Sequence, residues 1–288
     1  MLTDVYTKVS FQVGSMRACS VLCIALALHC GAAKADAAHA RTALRVCADP
    51  NNLPFSNQQL EGFENKIATL VAERLDARIE YVWWAQRRGF IRNTLRAGLC
   101  DAVMGLPSRM EMAATTEPYY RSSYVFVTRQ GTHQPGSFDD PFLKTATVGV
   151  HIIGDDFSNS PPAHALSNRG LIDNVRGYSV YGNYKSPNPP AELIHAVERG
   201  DIDVAIAWGP LAGYFAHASK VPLQLARVVP DQEPPYPFVF DMSMGVARSN
   251  TALKEELNQV IAHNKPAIDA ILREYAVPVV DDRKVASR

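Results

Sequence analysis

The sequence predicts an α/β protein built of two similar lobes with a cleft between them. Two internal echoes and one pattern of punctuation carry that expectation. Val46 lies in a short apolar run, Leu44-Arg45-Val46-Cys47, and Val148, 102 positions later, lies in another, Thr147-Val148-Gly149-Val150. Leu95 to Gly105 is echoed at the same offset by Val197 to Ala207. Each copy reads as a helix end, a glycine at the C-terminal cap, an aspartate three residues on, and then a buried strand. Two copies of one α/β unit imply two lobes, and clefts between lobes are where small ligands bind. Unrelated βα units can share such punctuation. The equal offset at both ends of the unit favours duplication.

At 288 residues the chain is long enough for two cores. Its formal net charge is zero, so no bulk field draws it to nucleic acid or to an acidic membrane. The N-terminus reads as a targeting segment. Arg17 precedes an apolar stretch, Ala18 to Gly31, in which His29 is the strongly polar residue. Ala33-Lys34-Ala35, Ala35-Asp36-Ala37 and Ala38-His39-Ala40 then fit a small-residue cleavage site. A secretory signal peptide over residues 1–37 is expected, with the mature chain starting between Asp36 and Arg41. The apolar core is short for a membrane span, and a retained anchor is the alternative.

Cys19, Cys23 and Cys30 leave with that segment, and Cys47 and Cys100 remain. An even number of cysteines in an oxidising compartment reads as a disulfide. Cys47 ends the first predicted strand and Cys100 opens the third. Those strands are neighbours in the 2-1-3 order usual for such sheets. A Cys47–Cys100 bond is expected, with two buried thiols as the alternative.

The remaining elements follow in order. After strand 44–47 and an irregular loop 48–61, a helix presents Ile67, Leu70, Val71 and Leu75 on one face. Strand 78–83 alternates, a second helix bears Phe90, Ile91, Thr94 and Leu95 and ends at Gly98, and 124–127 is a further strand. The turn-rich stretch 130–141 reads as the first crossing between lobes. Helix 191–199 presents Leu193, Ile194 and Val197, and the prolines at 230–237 mark the return crossing. Strand 242–247 rejoins the first lobe. Asn250 can cap a helix bearing Leu253, Leu257, Val260 and Ile261. Pro266 suits the first turn of a last helix with Ile268, Ile271, Leu272 and Tyr275 inward. The expected lobes are 42–129 with 242–288, and 130–241.

Leu95 to Gly105, Pro118-Tyr119-Tyr120 and Tyr124 to Val127 resemble family 3 periplasmic solute-binding proteins, over the chain from about Leu44 to its end. More narrowly, Val46 to Ser56, Gly62 to Ile67, Tyr81 to Trp84, Gly154-Asp155-Asp156, Pro161 to Leu166, Asp173 to Gly177 and Trp208 to Tyr214 are similar to the J proteins associated with methanol dehydrogenase (MxaJ and XoxJ). The resemblance implies a type II periplasmic-binding-protein-like fold. It also implies a periplasmic accessory of a PQQ-dependent methanol dehydrogenase, aiding assembly or activation, with the dehydrogenase and its cytochrome c as candidate partners. It implies neither an enzyme nor a cofactor of its own.

Ligands of open α/β sheets bind beyond the carboxyl ends of strands. That selects loops 49–55, 106–109, 154–157 and 208–214. They supply the amides of Asn51 and Asn52, the rings of Phe55, Trp208 and Tyr214, and the charges of Arg109, Asp155 and Asp156. Tyr119 of the Pro-Tyr motif joins the expected cleft set. So does Trp84, because Trp83 and Trp84 face opposite sides of a strand. In amino-acid-binding relatives an arginine nine residues before the Pro-Tyr motif grips the ligand carboxylate, and Arg109 has that spacing. Yet the usual Gly-x-Thr-x-Thr run is shortened here to Gly105-Leu106-Pro107-Ser108, and the aspartate usual in the early helix motif is not clearly present, with Glu64-Asn65 near its place. A surface or lobe-bridging arginine is the competing reading.

The pairs Asp139-Asp140, Asp155-Asp156 and Asp281-Asp282 lack EF-hand spacing, so turns and caps are expected of them rather than a metal. No His-Glu-x-x-His, Gly-x-Ser-x-Gly, P-loop or dinucleotide motif occurs. The proline-rich stretches Ser186–Pro190 and Asp231–Pro237, with Tyr236 and Phe238, read as a partner surface or as lobe connections. A receptor delivering a small polar solute to an ABC transporter is the alternative function. An enzyme would need a general acid in the cleft, for which Asp155, Asp156 and Glu64 are the candidates.

Overall fold

Strand β1 (Ala43–Ala48) buries Leu44 and Val46, and the helix after it, α1 (Phe63–Arg74), sets Phe63, Ile67 and Val71 in the same core. β2 (Arg78–Trp83) returns parallel to β1, with Val46 opposite Tyr81. The computed structural model from which these elements are taken describes residues 42–153, 159–181 and 183–281, all within the unit Ala40–Arg288. The expected signal peptide, Asp155, Asp156 and Asp282 lie outside the described residues.

A short helix α2 (Phe90–Asn93) leads to β3 (Ala102–Pro107), whose Ala102 pairs with Val46. The long strand β4 (Tyr120–Arg129) follows. The second copy of the unit is β5 (Val148–Ile152), α3 (Pro161–Asn168), β6 (Val175–Ser179), α4 (Glu192–Arg199) and β7 (Val204–Trp208). The chain closes with α5 (Gly209–Ala218), β8 (Leu223–Arg227), β9 (Val239–Val246) and α6 (Thr251–Glu274). The sheet order is β2-β1-β3-β9-β4-β7-β5-β6, with β8 also on β4. Among the described residues no helix is long and apolar enough to cross a membrane.

The repeat is present in atomic detail. Gly200 caps α4 and Gly98 closes the turns that follow α2, both at left-handed φ, +78° and +73°. Asp101 accepts the Arg45 amide at 2.9 Å, and Asp203, at the same offset, accepts the Thr147 amide at 2.8 Å. Each aspartate satisfies a strand-entry N–H that the ladder leaves open. β1 and β3 pair in parallel, as do β5 and β7, so both copies have the 2-1-3 order. Cys47 and Cys100 are joined by a disulfide with Cα atoms 5.6 Å apart. They sit in a cluster with Phe90, Ile91 and Leu95.

Four expectations change. β4 pairs with β9 through Tyr120–Ser123 and with β7 through Tyr124–Thr128, so the passage between the two halves falls inside this strand, ahead of 130–141. β9 makes the return the same way, pairing with β4 at Val239–Met242 and with β3 from Met242 to Val246. Ten extended residues reach about 33 Å, enough to serve both halves. The expected helix from Phe90 to Gly98 stops at Asn93. Thr94 leaves helical angles (φ −119°, ψ −83°), and wider turns follow, with the Arg96 amide on Ile91 O and the Leu99 amide on Thr94 O. The last two expected helices run together as α6, capped by Asn250 on the Leu253 amide at 3.2 Å and kinked at Asn264, just before Pro266.

Candidate functional site

The site is built where β1, β5 and β7 end. Asp49 follows β1 and is almost wholly buried. Its carboxylate accepts the Asn51 amide at 2.8 Å, the Gln86 amide at 2.6 Å and the Tyr184 hydroxyl. Ser56 Oγ donates to Asp49 O at 2.8 Å, which closes the loop into a hairpin pairing Asn51 with Asn57. That hairpin delivers Asn52 and Phe55 to a cavity of about 330 Å³. The opposite wall is Trp208 at the end of β7, Leu211 of α5, His151 and Ile153 at the end of β5, and Val180, Tyr181, Tyr184 and Pro190 beyond β6. Glu64, Gln86 and Met242 complete the lining.

The hairpin also ties the two halves together. Asn51 Nδ2 donates to Ser186 O at 2.8 Å, and the Asn188 amide donates to Asn51 Oδ1 at 2.8 Å. Leu53, carried on the first-half loop, is 8% exposed and belongs to the core cluster of Val125, Val127, Leu193 and Ile194 in the second. The stretch Ser186–Pro190 therefore closes on this chain's own hairpin. Leu53→Ala is expected to cost about 2–5 kcal/mol, the range for a buried leucine truncated to alanine. Equilibrium urea unfolding checks this, and a loss below about 1 kcal/mol would mean that the loop does not hold the halves.

Three lining groups have shifted protonation: Glu64, His151 and Tyr184, whose hydroxyl is raised by burial and by its bond to Asp49. Desolvation, aided by the charge of Asp49, pushes the Glu64 carboxyl up to about 8 from an ordinary 4.5. The ionisable groups that share its field are Asp49 beyond β1, Tyr81 on β2, and Tyr119 and Tyr120 where β4 begins. Glu64 Oε1 lies 2.0 Å from where a Cβ on Gly105 would stand, so the bare backbone of β3 makes room for the carboxyl. Burial pulls His151 down to about 4 from 6.5. Its Nε2 is 3.0 Å from Pro190 O. A carbonyl only accepts, so Nε2 carries the proton and Nδ1 is left as an acceptor.

Of the residues expected in the cleft, Asn52, Phe55 and Trp208 line the cavity and Asn51 bridges beside it. The others stand elsewhere. Tyr214 stacks on Tyr275 at 5.7 Å and packs between the two core clusters. Tyr119 is fully buried in the first core, its hydroxyl donating to Met104 O at 2.9 Å. Trp84 is 43% exposed, away from the cavity lining, with its amide on Ala48 O. Arg109 is exposed at φ +62°, its amide held by Thr115 Oγ1 at 3.0 Å, and it is not part of the lining. Asp155 lies outside the described residues. Phe238 is buried core, Tyr236 stacks on His164, and Asp140 caps the turn at Phe142.

Sequence reasoning passed over Asp49, Gln86, His151, Tyr181 and Tyr184 as cavity residues. One signal was available. The 102-residue offset carries Asp49 onto His151, so the two copies contribute equivalent positions to the same cavity. Among the described residues no group of three or more His, Cys, Asp or Glu side chains could hold a metal ion.

Residues 44–277 match the bacterial extracellular solute-binding proteins of family 3. Protein MoxJ of Methylorubrum extorquens is 34% identical over 263 residues, covering 86% of this chain and 84% of that one. The crystal structure of periplasmic binding protein XoxJ from Methylobacterium extorquens AM1 superposes with a TM-score of 0.68 at 38% identity, over 83% of this chain and all of that one. MxaJ from Methlophaga aminisulfidivorans MPT gives 0.72 at 26% identity, over 82% of this chain and all of that one. With its duplicated α/β unit and its cavity between the two halves, the chain belongs to the family 3 bacterial extracellular solute-binding proteins and, within them, to the J proteins represented by MoxJ, XoxJ and MxaJ.

Proposed function

We propose that the mature protein, whose two halves meet within β4 and β9, is a periplasmic accessory of a PQQ-dependent methanol dehydrogenase. It aids assembly or activation through contact between proteins, with the dehydrogenase's cytochrome c as a further contact. The reading starts from the J-protein relationship. One observation carries it against transport of an amino acid: among the described residues no arginine or lysine lines the cavity. A ligand carboxylate there would face the Asp49 carboxylate with no cation among the described lining residues, and an unpaired buried charge is strongly unfavourable. The Asn51–Asn188 contact and the buried Leu53 also oppose the separation of lobes that a delivery receptor needs.

Glu64 meets one condition of the enzyme reading, a carboxyl with a raised pKa in the cleft. Turnover also needs a base. Burial keeps His151 a weak one, and the Asp49 oxygens are engaged by two amides and a hydroxyl.

Deletion of the gene is expected to lower active methanol dehydrogenase in periplasmic extract while leaving amino-acid uptake unchanged. Complementation with wild type or with Arg109→Ala should restore the activity equally. Undiminished dehydrogenase in the deletion strain would overturn the proposal. So would calorimetry that finds a sub-micromolar amino acid whose binding Arg109→Ala abolishes.

A further inference from the structure

The cavity between the halves has a one-sided chemistry. Aromatic rings from Phe55, Tyr181, Tyr184 and Trp208 supply much of its wall, and its two acids are Asp49 and Glu64. Asp49 is spent on the hairpin, the Gln86 amide and the Tyr184 hydroxyl. The Glu64 carboxyl has no hydrogen bond or ion pair with any described residue, although it lies against the backbone of β3 at Gly105. Close by, the hydroxyl of Tyr120, whose titration responds to Glu64, is buried without a partner. The groups that share the field of Glu64 are acids and phenols; none is a cation.

Two acceptors of the lining are open. Asn52 donates its amide to Gln86 Oε1 at 3.3 Å, which leaves Asn52 Oδ1 open. His151 offers Nδ1. What the described lining lacks is a positive charge of its own; the Arg87 guanidinium stands outside it, 4.8 Å from the centroid of the Tyr184 ring. A primary ammonium brings one charge and three donors, and its alkyl stem suits aromatic walls, which also attract cations through the ring quadrupole. A cavity of this size falls at the lower end of the range used for small ligands.

We propose that this cavity binds a primary alkylammonium group that carries no carboxylate, with Glu64 as its counter-ion and Trp208 and Phe55 as its aromatic walls. The group has two sources, a free amine or a lysyl side chain of a partner chain. The site stands on the cavity alone and does not depend on the dehydrogenase reading.

Calorimetry on the purified mature protein at pH 7 tests it with four probes: n-butylammonium, Nα-acetyl-lysine methylamide, 1-pentanol and 5-aminopentanoate. One or both of the first two should bind. Butylammonium alone identifies a free amine, and the lysine derivative alone identifies a partner side chain. The neutral alcohol and the zwitterion should bind at least tenfold more weakly. Because Glu64 is largely protonated at pH 7, binding should release about one proton, read from the heats in buffers of different ionisation enthalpy. Glu64→Gln should weaken ammonium binding at least tenfold with no fall in melting temperature, so that loss of fold is not the cause. Trp208→Leu should weaken it in a protein that still melts cooperatively. The proposal is overturned if neither ammonium probe binds at millimolar concentration, if Glu64→Gln binds as wild type does, or if 5-aminopentanoate binds as well as butylammonium.

Discussion

Replacing both Cys47 and Cys100 by serine is expected to lower the free energy of unfolding by about 4 kcal/mol. The bond joins residues 53 apart, and the enclosed chain holds α1 and β2. Without the bond the unfolded chain regains the freedom of that loop, and the chain-entropy relation for a loop of this size sets the magnitude. The folded state should survive, because the ends it joins are already held. Val46 pairs with Ala102, and Asp101 grips Arg45 through the amide and, at 2.7 Å, the guanidinium. Whole-domain stabilities run to about 5–15 kcal/mol, so the loss should be plain in denaturant unfolding of the oxidised protein against the variant. A difference below about 1 kcal/mol would mean that the unfolded state is restrained by something else. Thiol trapping of unreduced, denatured mature protein should label neither cysteine; two labelled cysteines would exclude the bond.

The parts of this fold that were legible in the sequence are those set by local rules repeated at a fixed offset. Gly98 and Gly200 announce left-handed positions, the second a helix end, because a side chain there would be strained. Asp101 and Asp203 announce strand entries because an open N–H needs an acceptor. Asn250 announces α6 for the same reason at a helix start. Cys47 and Cys100 could be paired once the sheet order was assumed. What stayed hidden depends on tertiary context. Nothing local distinguishes Tyr120–Ser123 from Tyr124–Arg129, yet the two stretches pair with strands of different halves. Arg109 has the spacing of a carboxylate clamp, yet it stands exposed at φ +62°, outside the cavity lining. Tyr181 and Tyr184 reach the cavity from a stretch beyond β6 that carries no pattern of its own. Glu64 was named as a candidate acid of the cleft, but its surroundings were not legible. A glutamate in the first turn of a helix ordinarily reads as a solvated partner of the helix dipole. Only the open backbone at Gly105 and the loop that buries Asp49 turn it into a desolvated acid.

That burial sets the pH dependence of stability. Glu64 holds its proton up to about 8 in the folded protein and loses it near 4.5 when unfolded. Between those values the folded state binds more protons, so stability falls as pH rises. At about 1.4 kcal/mol per pH unit, the full shift corresponds to a loss of order 4 kcal/mol by pH 8. His151 acts in the opposite direction. Its folded value near 4 lies below the ordinary 6.5, so the unfolded chain takes the proton first and stability falls as pH drops from 6.5 toward 4. From 4.5 to 6.5 the two slopes oppose each other, and these groups together give a plateau there. Above the plateau Glu64 alone produces a decline that ends near pH 8. Glu64→Gln is therefore expected to remove the decline between pH 6.5 and 8 while keeping the acid limb. His151→Gln should weaken the acid limb and keep the alkaline decline. Urea midpoints at half-unit pH intervals give both profiles. If Glu64→Gln parallels wild type from pH 6.5 to 8, the carboxyl is solvated in the folded protein, and its place as an uncompensated acid in the cavity is lost with it.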